Sequence, residues 1–422
     1  MTDRSRAGIS LVWRQIRSGA WLTPERARAY CLILLTLTIA AAIGWTALAD
    51  HMVDRNGKPI GTDFSSFYAA GQLANQGHAR AAYDAATHYA RQQANFGTDT
   101  PYYSWSYPPI FLLIAAPLAR LPYAAALALW QFASLALLLG VIGALLARPC
   151  RGTALGPLWL LAAAAFPAVF VNLGHGQNGF LSAALFGAGL LALPARPWLA
   201  GLLFGLLAFK PQLGLLLPVA LICIGAWQAL ATATLTVVAL TALATIAFGT
   251  DVWPAFLEAS AQARHLVLEE GSVGFEKMQS VFAMLRLWGA PVPAAYVAQG
   301  ATSLAMLGVI AWTWRSDTDA DLKAALLVVA SLLASPHVLD YDLTLLAIAI
   351  AFFVRFGLRN GFHDDEITLL AAAWLTPALA RGVAGATLVP LGQIIVLALF
   401  VIMLRRVTQP VRHSAIFLPS RA

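Results

Sequence analysis

Asp63 stands in Gly61-Thr62-Asp63-Phe64-Ser65-Ser66-Phe67-Tyr68, inside a polar insert (50–109) that separates two apolar segments. A carboxylate just beyond an apolar helix can take the proton of an acceptor hydroxyl as a general base. The same residue ahead of 64–73 also suits a helix N-cap, and the two roles are compatible. In the turn 172–178, His175, Gln177 and Asn178 offer partners for a sugar or a phosphate, and Gly174 and Gly176 let the backbone approach a ligand. Such a turn can equally be only a turn. Lys210, beside Pro211, lies at apolar depth, where a lysine asks for an anionic partner such as a phosphate. Snorkelling to the interface is its plainer reading.

Three further groups carry chemistry. Lys277, Gln279, Ser280 and Arg286 flank the apolar run 281–285, as ligands of an anionic group or as the polar side of an interfacial helix. His337, Asp340, Tyr341 and Asp342, after Ser335-Pro336, form the densest ionisable cluster beside an apolar segment. A histidine among carboxylates can act as a base or hold a phosphate; a capped, solvated turn is the alternative. Tyr107 closes the polar insert with Tyr102 and Trp105, either as an aromatic belt in the headgroups or as a wall for a sugar or polyprenyl chain. None of these spacings matches a metal-ligand pattern, and no metal or cofactor is expected.

The elements that must position these residues are apolar helices. The chain is 59% hydrophobic and only 11% charged, against about 25% charged in a soluble domain. With many apolar runs near 20 residues, that composition specifies an integral membrane protein. The net charge of +7 reads as topology rather than nucleic-acid binding, because the basic residues fall mainly in short loops and at the termini. Cys31, Cys150 and Cys223 form no disulfide framework or thiolate metal site. Walker, Rossmann and long-repeat patterns are absent, which disfavours an ATP-driven pump and a nicotinamide enzyme.

About twelve spans follow: 30–49, 123–146, 157–171, 179–193, 198–209, 213–227, 230–248, 292–314, 324–334, 343–356, 367–380 and 386–404. The apolar piece 110–121 is too short to cross a core about 30 Å thick and reads as re-entrant. The domain layout is a basic arm (1–29), a transmembrane domain (30–405) with outer loops 50–122 and 249–291, and a tail (406–422). Arg4, Arg6, Arg14, Arg17, Arg26 and Arg28 hold an uncleaved N-terminus inside, and Arg405, Arg406 and Arg412 hold the C-terminus there. Lys210-Pro211 separates two short spans rather than kinking one long helix, which keeps the later cations inside. Arg381 is the one short-loop residue against the positive-inside rule. With this topology, every polar group named above lands on the outer face.

The ordered motifs resemble glycosyltransferase family 87, the DUF2029 type. The resemblance rests on Asp63-Phe64 with Tyr68, Gly77 with Tyr83-Asp84, Tyr107-Pro108-Pro109, Pro117-Leu118, Leu121-Pro122 and Trp130. It continues through Gly176-Gln177-Asn178, Lys210-Pro211, Gln279-Ser280 with Arg286, and Ser335-Pro336-His337 with Tyr341-Asp342. It covers about 30–405 and implies an all-α GT-C fold with its active site at the outer membrane face. It also implies a polyprenyl-phosphate-sugar donor, as in the related phosphatidylinositol-mannoside mannosyltransferases, and a lipid or glycan acceptor. Asp63 takes the place of the catalytic aspartate and His337 that of an active-site histidine. The Asp340-Tyr341-Asp342 ending departs from the His-rich ending associated with the mannosyltransferases, which leaves mannose favoured and a pentose open. The implied setting is the bacterial cytoplasmic membrane, with membrane lipids as partners and no nucleic acid. The rival reading is a secondary transporter or flippase, which a charged pair buried deep between spans would favour; a membrane scaffold is a third.

Overall fold

The computed structural model describes residues 12–151 and 156–408. Arg4, Arg6 and Arg412, with residues 1–11 of the expected N-terminal arm and most of the expected C-terminal tail, lie outside the described residues. Helices make up the fold, and among the described residues no strand forms beyond isolated bridges. In chain order they are α1 (Pro24–Ala47), α2 (Thr62–Asn75), α3 (Ala85–Phe96), α4 (Leu112–Leu118), α5 (Tyr123–Leu146) and α6 (Leu158–Ala164). Next come α7 (Pro167–His175), α8 (Gly179–Ala192), α9 (Pro197–Leu206), α10 (Leu217–Cys223), α11 (Trp227–Phe248) and α12 (Val252–Ala263). The last six are α13 (Val281–Leu287), α14 (Val292–Arg315), α15 (Ala320–Ala334), α16 (Leu345–Asn360), α17 (Glu366–Thr387) and α18 (Leu391–Thr408).

Eight helical stretches among the described residues are long and apolar enough to cross a membrane: α1, α5, α6 with α7, α11, α14, Asp340–Asn360, α17 and α18. The chain is therefore an all-α integral membrane protein. Four of the twelve expected spans are shorter: 179–192, 197–209, 211–223 and 320–334. At 1.5 Å per residue none of them reaches across about 30 Å of hydrocarbon as a straight helix. They differ in how deeply they sit: 211–223 leaves Leu215 and Ile222 exposed and 197–209 leaves Trp198 exposed, whereas 320–334 is interior. α15 is buried almost from end to end and packs against α14, α16 and α18. A helix that is apolar all round belongs in an interior.

Pro211 breaks the chain between α9 and α10. Two 3-10 turns, Leu207–Phe209 and Pro211–Gly214, flank Lys210 there. The polar insert folds on itself, with α2 packed on α4 and on α3. Its aromatic residues form a core beneath α2. Phe67 meets Phe111 at 5.0 Å and Tyr107 at 5.2 Å between ring centroids, and Trp105 is 3% exposed. Trp105 is thus an internal pillar rather than a headgroup anchor, because the insert is long enough to bury its own apolar face.

Charge separates along the α15–α16 pair. At the Ala320/Asn360 end, Arg355 and Arg359 pair with Asp321, and Arg359 also with Asp319. Nearby, Arg406 pairs with Glu366 at 3.4 Å. At the other end, the segment 335–344 carries His337, Asp340 and Asp342.

Candidate active site

Asp63 is the second residue of α2. Gly61, in the left-handed conformation, is the N-cap, and no side chain caps this helix. The expected capping role of Asp63 is thus corrected: the carboxylate turns away from its own backbone and toward another segment. Its position in the first turn still places it at the positive end of the helix dipole.

That other segment is the 172–178 turn. α7 ends at His175, and Gly176 takes a left-handed conformation (φ +65°) that lets the chain reverse. The turn is tied on every side. Asn172 accepts at Oδ1 from Gly179 N (2.9 Å) and donates from Nδ2 to Gln177 O (3.0 Å). Trp130 Nε1 donates to Gly176 O at 3.0 Å, and Gln131 Nε2 to Leu173 O at 2.7 Å.

Gln177 then joins three elements. Its Nε2 donates to Asp63 Oδ2 at 3.0 Å. Its Oε1 accepts from the Tyr107 hydroxyl at 3.0 Å and from Asn178 N at 2.9 Å. Those two donors settle which way the amide points. His175 Nδ1 lies 3.8 Å from Asp63 Oδ1 and 3.0 Å from Thr62 Oγ1. Asp63 and His175 keep 23% and 21% of their side-chain surface, so solvent or a substrate can reach them. Burial pushes the Asp63 carboxyl up, but His175, the Gln177 amide and the charge of Lys277 outweigh it and hold Asp63 below its ordinary range. It is a carboxylate at neutral pH. Asn178 is fully buried, with its amide beside the Tyr107 hydroxyl.

The 335–344 segment forms the opposite wall. Asp340–Thr344 is a 3-10 turn. Tyr341 sets its ring 5.8 Å from that of His175, and Lys210 Nζ lies 4.8 Å from its centroid. Lys210 itself forms a short ion pair with Asp342 Oδ1, and both side chains are almost wholly buried. Asp342 Oδ2 accepts from Leu339 N at 3.1 Å. Lys210 already has an anion, so its expected phosphate is replaced by a carboxylate of the protein. Asp342 is likewise no part of a solvated turn. Asp340, by contrast, accepts from Tyr341 N at 2.9 Å and feels the charges of His175, Arg381 and Lys277.

His337 is partly exposed, and its backbone is fixed by the Ser335 hydroxyl at 3.2 Å. Burial, aided by Lys210 and opposed by Asp342, pulls its imidazole below the ordinary range, so it is neutral at pH 7. The second loop reaches this wall through Gln279 N, which donates to Val338 O at 2.8 Å, and through a bridge between Met278 and Leu339. Lys277 is thereby brought to the cluster. Ser280 and Arg286 have structural partners instead. Ser280 caps α13 by accepting from Ala283 N. Arg286 donates to Ala290 O and Glu269 O and stacks on Phe275. The expected phosphate-binding role of Arg286 is not what its contacts serve: they pin the loop.

Asp63, Tyr107, His175, Gln177 and Lys277 thus meet in one place, with Tyr341 as a wall. Nothing in the sequence distinguishes Asp340 from Asp342 within their cluster; the fold turns Asp342 to Lys210 and sets Asp340 near the charges of His175, Arg381 and Lys277. Among the described residues, no group of three or more His, Cys, Asp or Glu is placed to hold a metal ion. The arrangement can bind a hydroxyl, remove its proton and meet an anion with a cation.

Compared with known proteins, residues 105–336 match glycosyltransferase family 87. No curated protein and no solved structure matches the chain. The matched stretch contains Tyr107, His175, Gln177, Lys210 and Lys277, and the fold adds Asp63 from before it and His337 from after it. Since the match spans more than half of the 422 residues, the chain belongs to glycosyltransferase family 87 and is a multi-pass membrane glycosyltransferase.

Proposed function

We propose that the protein transfers a hexose, mannose favoured over a pentose, from a polyprenyl-phosphate sugar to a hydroxyl of a lipid or glycan acceptor. The carrying observation is the Asp63 carboxylate, ionised, reachable and oriented by Gln177. In this reading Asp63 takes the acceptor proton as the acceptor oxygen attacks the anomeric carbon. The bond from that carbon to the phosphate oxygen breaks, and its electron pair leaves with polyprenyl phosphate. A single displacement inverts the anomeric centre. The departing charge is met by Lys277, a cation without an ion-pair partner among the described residues. Neutral His337 is available to hydrogen-bond the sugar or the acceptor. The site faces the outside of a bacterial cytoplasmic membrane, with both termini inside.

The rival reading, a transporter or flippase, gains two buried pairs, Lys210 with Asp342 and Arg406 with Glu366. Lys210 and Asp342 sit at a helix break and in a 3-10 turn, however, next to Tyr341 and His175, and Arg406 and Glu366 lie in the last turn of α18 and at the first residue of α17. The deciding experiment is transfer from radiolabelled polyprenyl-phosphate mannose and pentose donors by purified protein in lipid. Transfer that depends on Asp63 supports the enzyme. Solute uptake into liposomes without transfer from any donor would overturn it.

A further inference from the structure

Arg381 breaks the positive-inside pattern, and its surroundings give a reason. It lies on the second half of α17, between the buried residues Ala380 and Ala384. α17 packs against three segments of the site: α7, the turn Phe275–Lys277 and the turn Asp340–Thr344. Two further contacts fix this region. Trp288 Nε1 donates to Leu388 O at 2.9 Å, and a Cβ built on Gly385 would lie 3.7 Å from Glu276 Cγ. Arg381 and Lys277 are therefore carried into the site from different elements. They are close enough that the charge of Arg381, after burial, pulls the Lys277 ammonium below its ordinary range, against Asp340, Asp63 and Glu276. Among the described residues neither forms an ion pair with a carboxylate, whereas Lys210, Arg355, Arg359 and Arg406 all do. Two like charges held together beside a site, each without an ion-pair partner, repel one another unless an anion joins them.

We propose that Lys277 and Arg381 form a two-cation clamp for the phosphate of a lipid-linked substrate. This rests on the polyprenyl-phosphate reading above and adds a positioning residue that the family match does not cover. Lys277 is half-buried and meets the bridging charge. Arg381 is exposed and receives the phosphate as the lipid arrives, with two N–H groups available for a bidentate contact.

The test uses the full chain in nanodiscs, as wild type and as Arg381→Gln, Arg381→Lys and Lys277→Gln, with thermal unfolding to verify folding. Native mass spectrometry measures binding of undecaprenyl phosphate and of uncharged undecaprenol, with inorganic phosphate as a competitor. Arg381→Gln should weaken undecaprenyl phosphate about tenfold, roughly the value of one charge-assisted hydrogen bond, and leave undecaprenol unchanged. Arg381→Lys should recover part of the loss. In turnover, the donor KM should rise with little change in kcat. Wild-type affinity in Arg381→Gln, or an equal loss for undecaprenol, overturns the clamp while leaving the donor reading intact. Competition by inorganic phosphate as strong as by the lipid overturns the lipid assignment. A wild type that does not distinguish undecaprenyl phosphate from undecaprenol overturns both readings.

Discussion

Gln177 donates from Nε2 to Asp63 Oδ2 at 3.0 Å across 114 positions of sequence. The same amide accepts from Tyr107, so one side chain spans the polar insert and the end of α7. The hydrogen bond leaves Asp63 Oδ1 on the side of His175 and Thr62. The proposed role of Asp63 as a base requires a lone pair in a fixed direction, and the Gln177 hydrogen bond holds the carboxylate in one.

Asp63→Asn keeps the shape and a hydrogen bond to Gln177 but removes the proton acceptor. Transfer should fall by roughly 10²–10⁴-fold, the usual contribution of a general base, with an unfolding temperature close to wild type. If Asp63→Asn and His337→Ala, both folded, transfer sugar at the normal rate, the site assignment is wrong.

Gln177→Leu should separate orientation from ionisation. Without the amide donor, the Asp63 carboxyl loses one of the interactions that hold it below its ordinary range. In the wild type, activity should persist as pH falls to below about 4, the ordinary carboxylate value. In the variant the acid limb should move upward, with kcat reduced at every pH. A limb that stays in place means that Gln177 does not tune Asp63.

His337 is neutral when folded because burial depresses its pKa. The unfolded chain protonates it at about 6.5, so its contribution to stability is present above that pH and lost as pH falls toward the folded value. His337→Gln should therefore flatten the decline of unfolding temperature on the acid side of about 6.5. An unchanged pH dependence would remove the assignment of a neutral imidazole.

The Lys210–Asp342 pair is read by a double-mutant cycle. Either Lys210→Met or Asp342→Leu alone leaves an uncompensated buried charge and should destabilise by roughly 3–5 kcal/mol. The double variant should recover much of that, as measured by unfolding in detergent. Two losses that simply add would mean that the side chains do not interact.

Much of the fold was legible because hydrocarbon-soluble helices announce themselves in composition. The break at Lys210-Pro211 and the shortness of the piece that forms α4 were readable for the same reason: proline and length are local signals. The four short helices were not, because an apolar run reads alike whether it faces lipid or protein. At the site, Asp63, Tyr107, His175 and Gln177 stood out as polar residues among apolar neighbours. Their partners did not. The attachment of Lys210 to Asp342 spans 132 positions, and no local pattern encodes such a pair. Asp340 and Asp342 differ only in the direction a 3-10 turn gives them. Arg286 looked like Lys277 by type, yet its guanidinium is occupied by two carbonyls of its own loop.

Gly176→Ala tests the geometry of the reversal. A side chain there is strained at φ +65°, and its Cβ would fall 2.6 Å from Phe64 Cβ. The strain alone is about 1–2 kcal/mol, and displacing α2 adds to it. The unfolding temperature should fall, and transfer should drop more than stability does. A variant that is destabilised but fully active when folded would argue that the spacing of α2 and α7 is not critical.

The same contact has a wider consequence. A Cβ on Gly176 would also lie 3.3 Å from Gly61 Cα, so the helix bearing Asp63 and the turn bearing Gln177 touch at two residues that have no side chains. Nothing compressible stands between them. Thermal motion of the surrounding helices can carry both together, but it has no soft spacer through which to pull the Asp63 carboxylate and the Gln177 amide apart. The two glycines act as a gauge block that sets the working distance of the site.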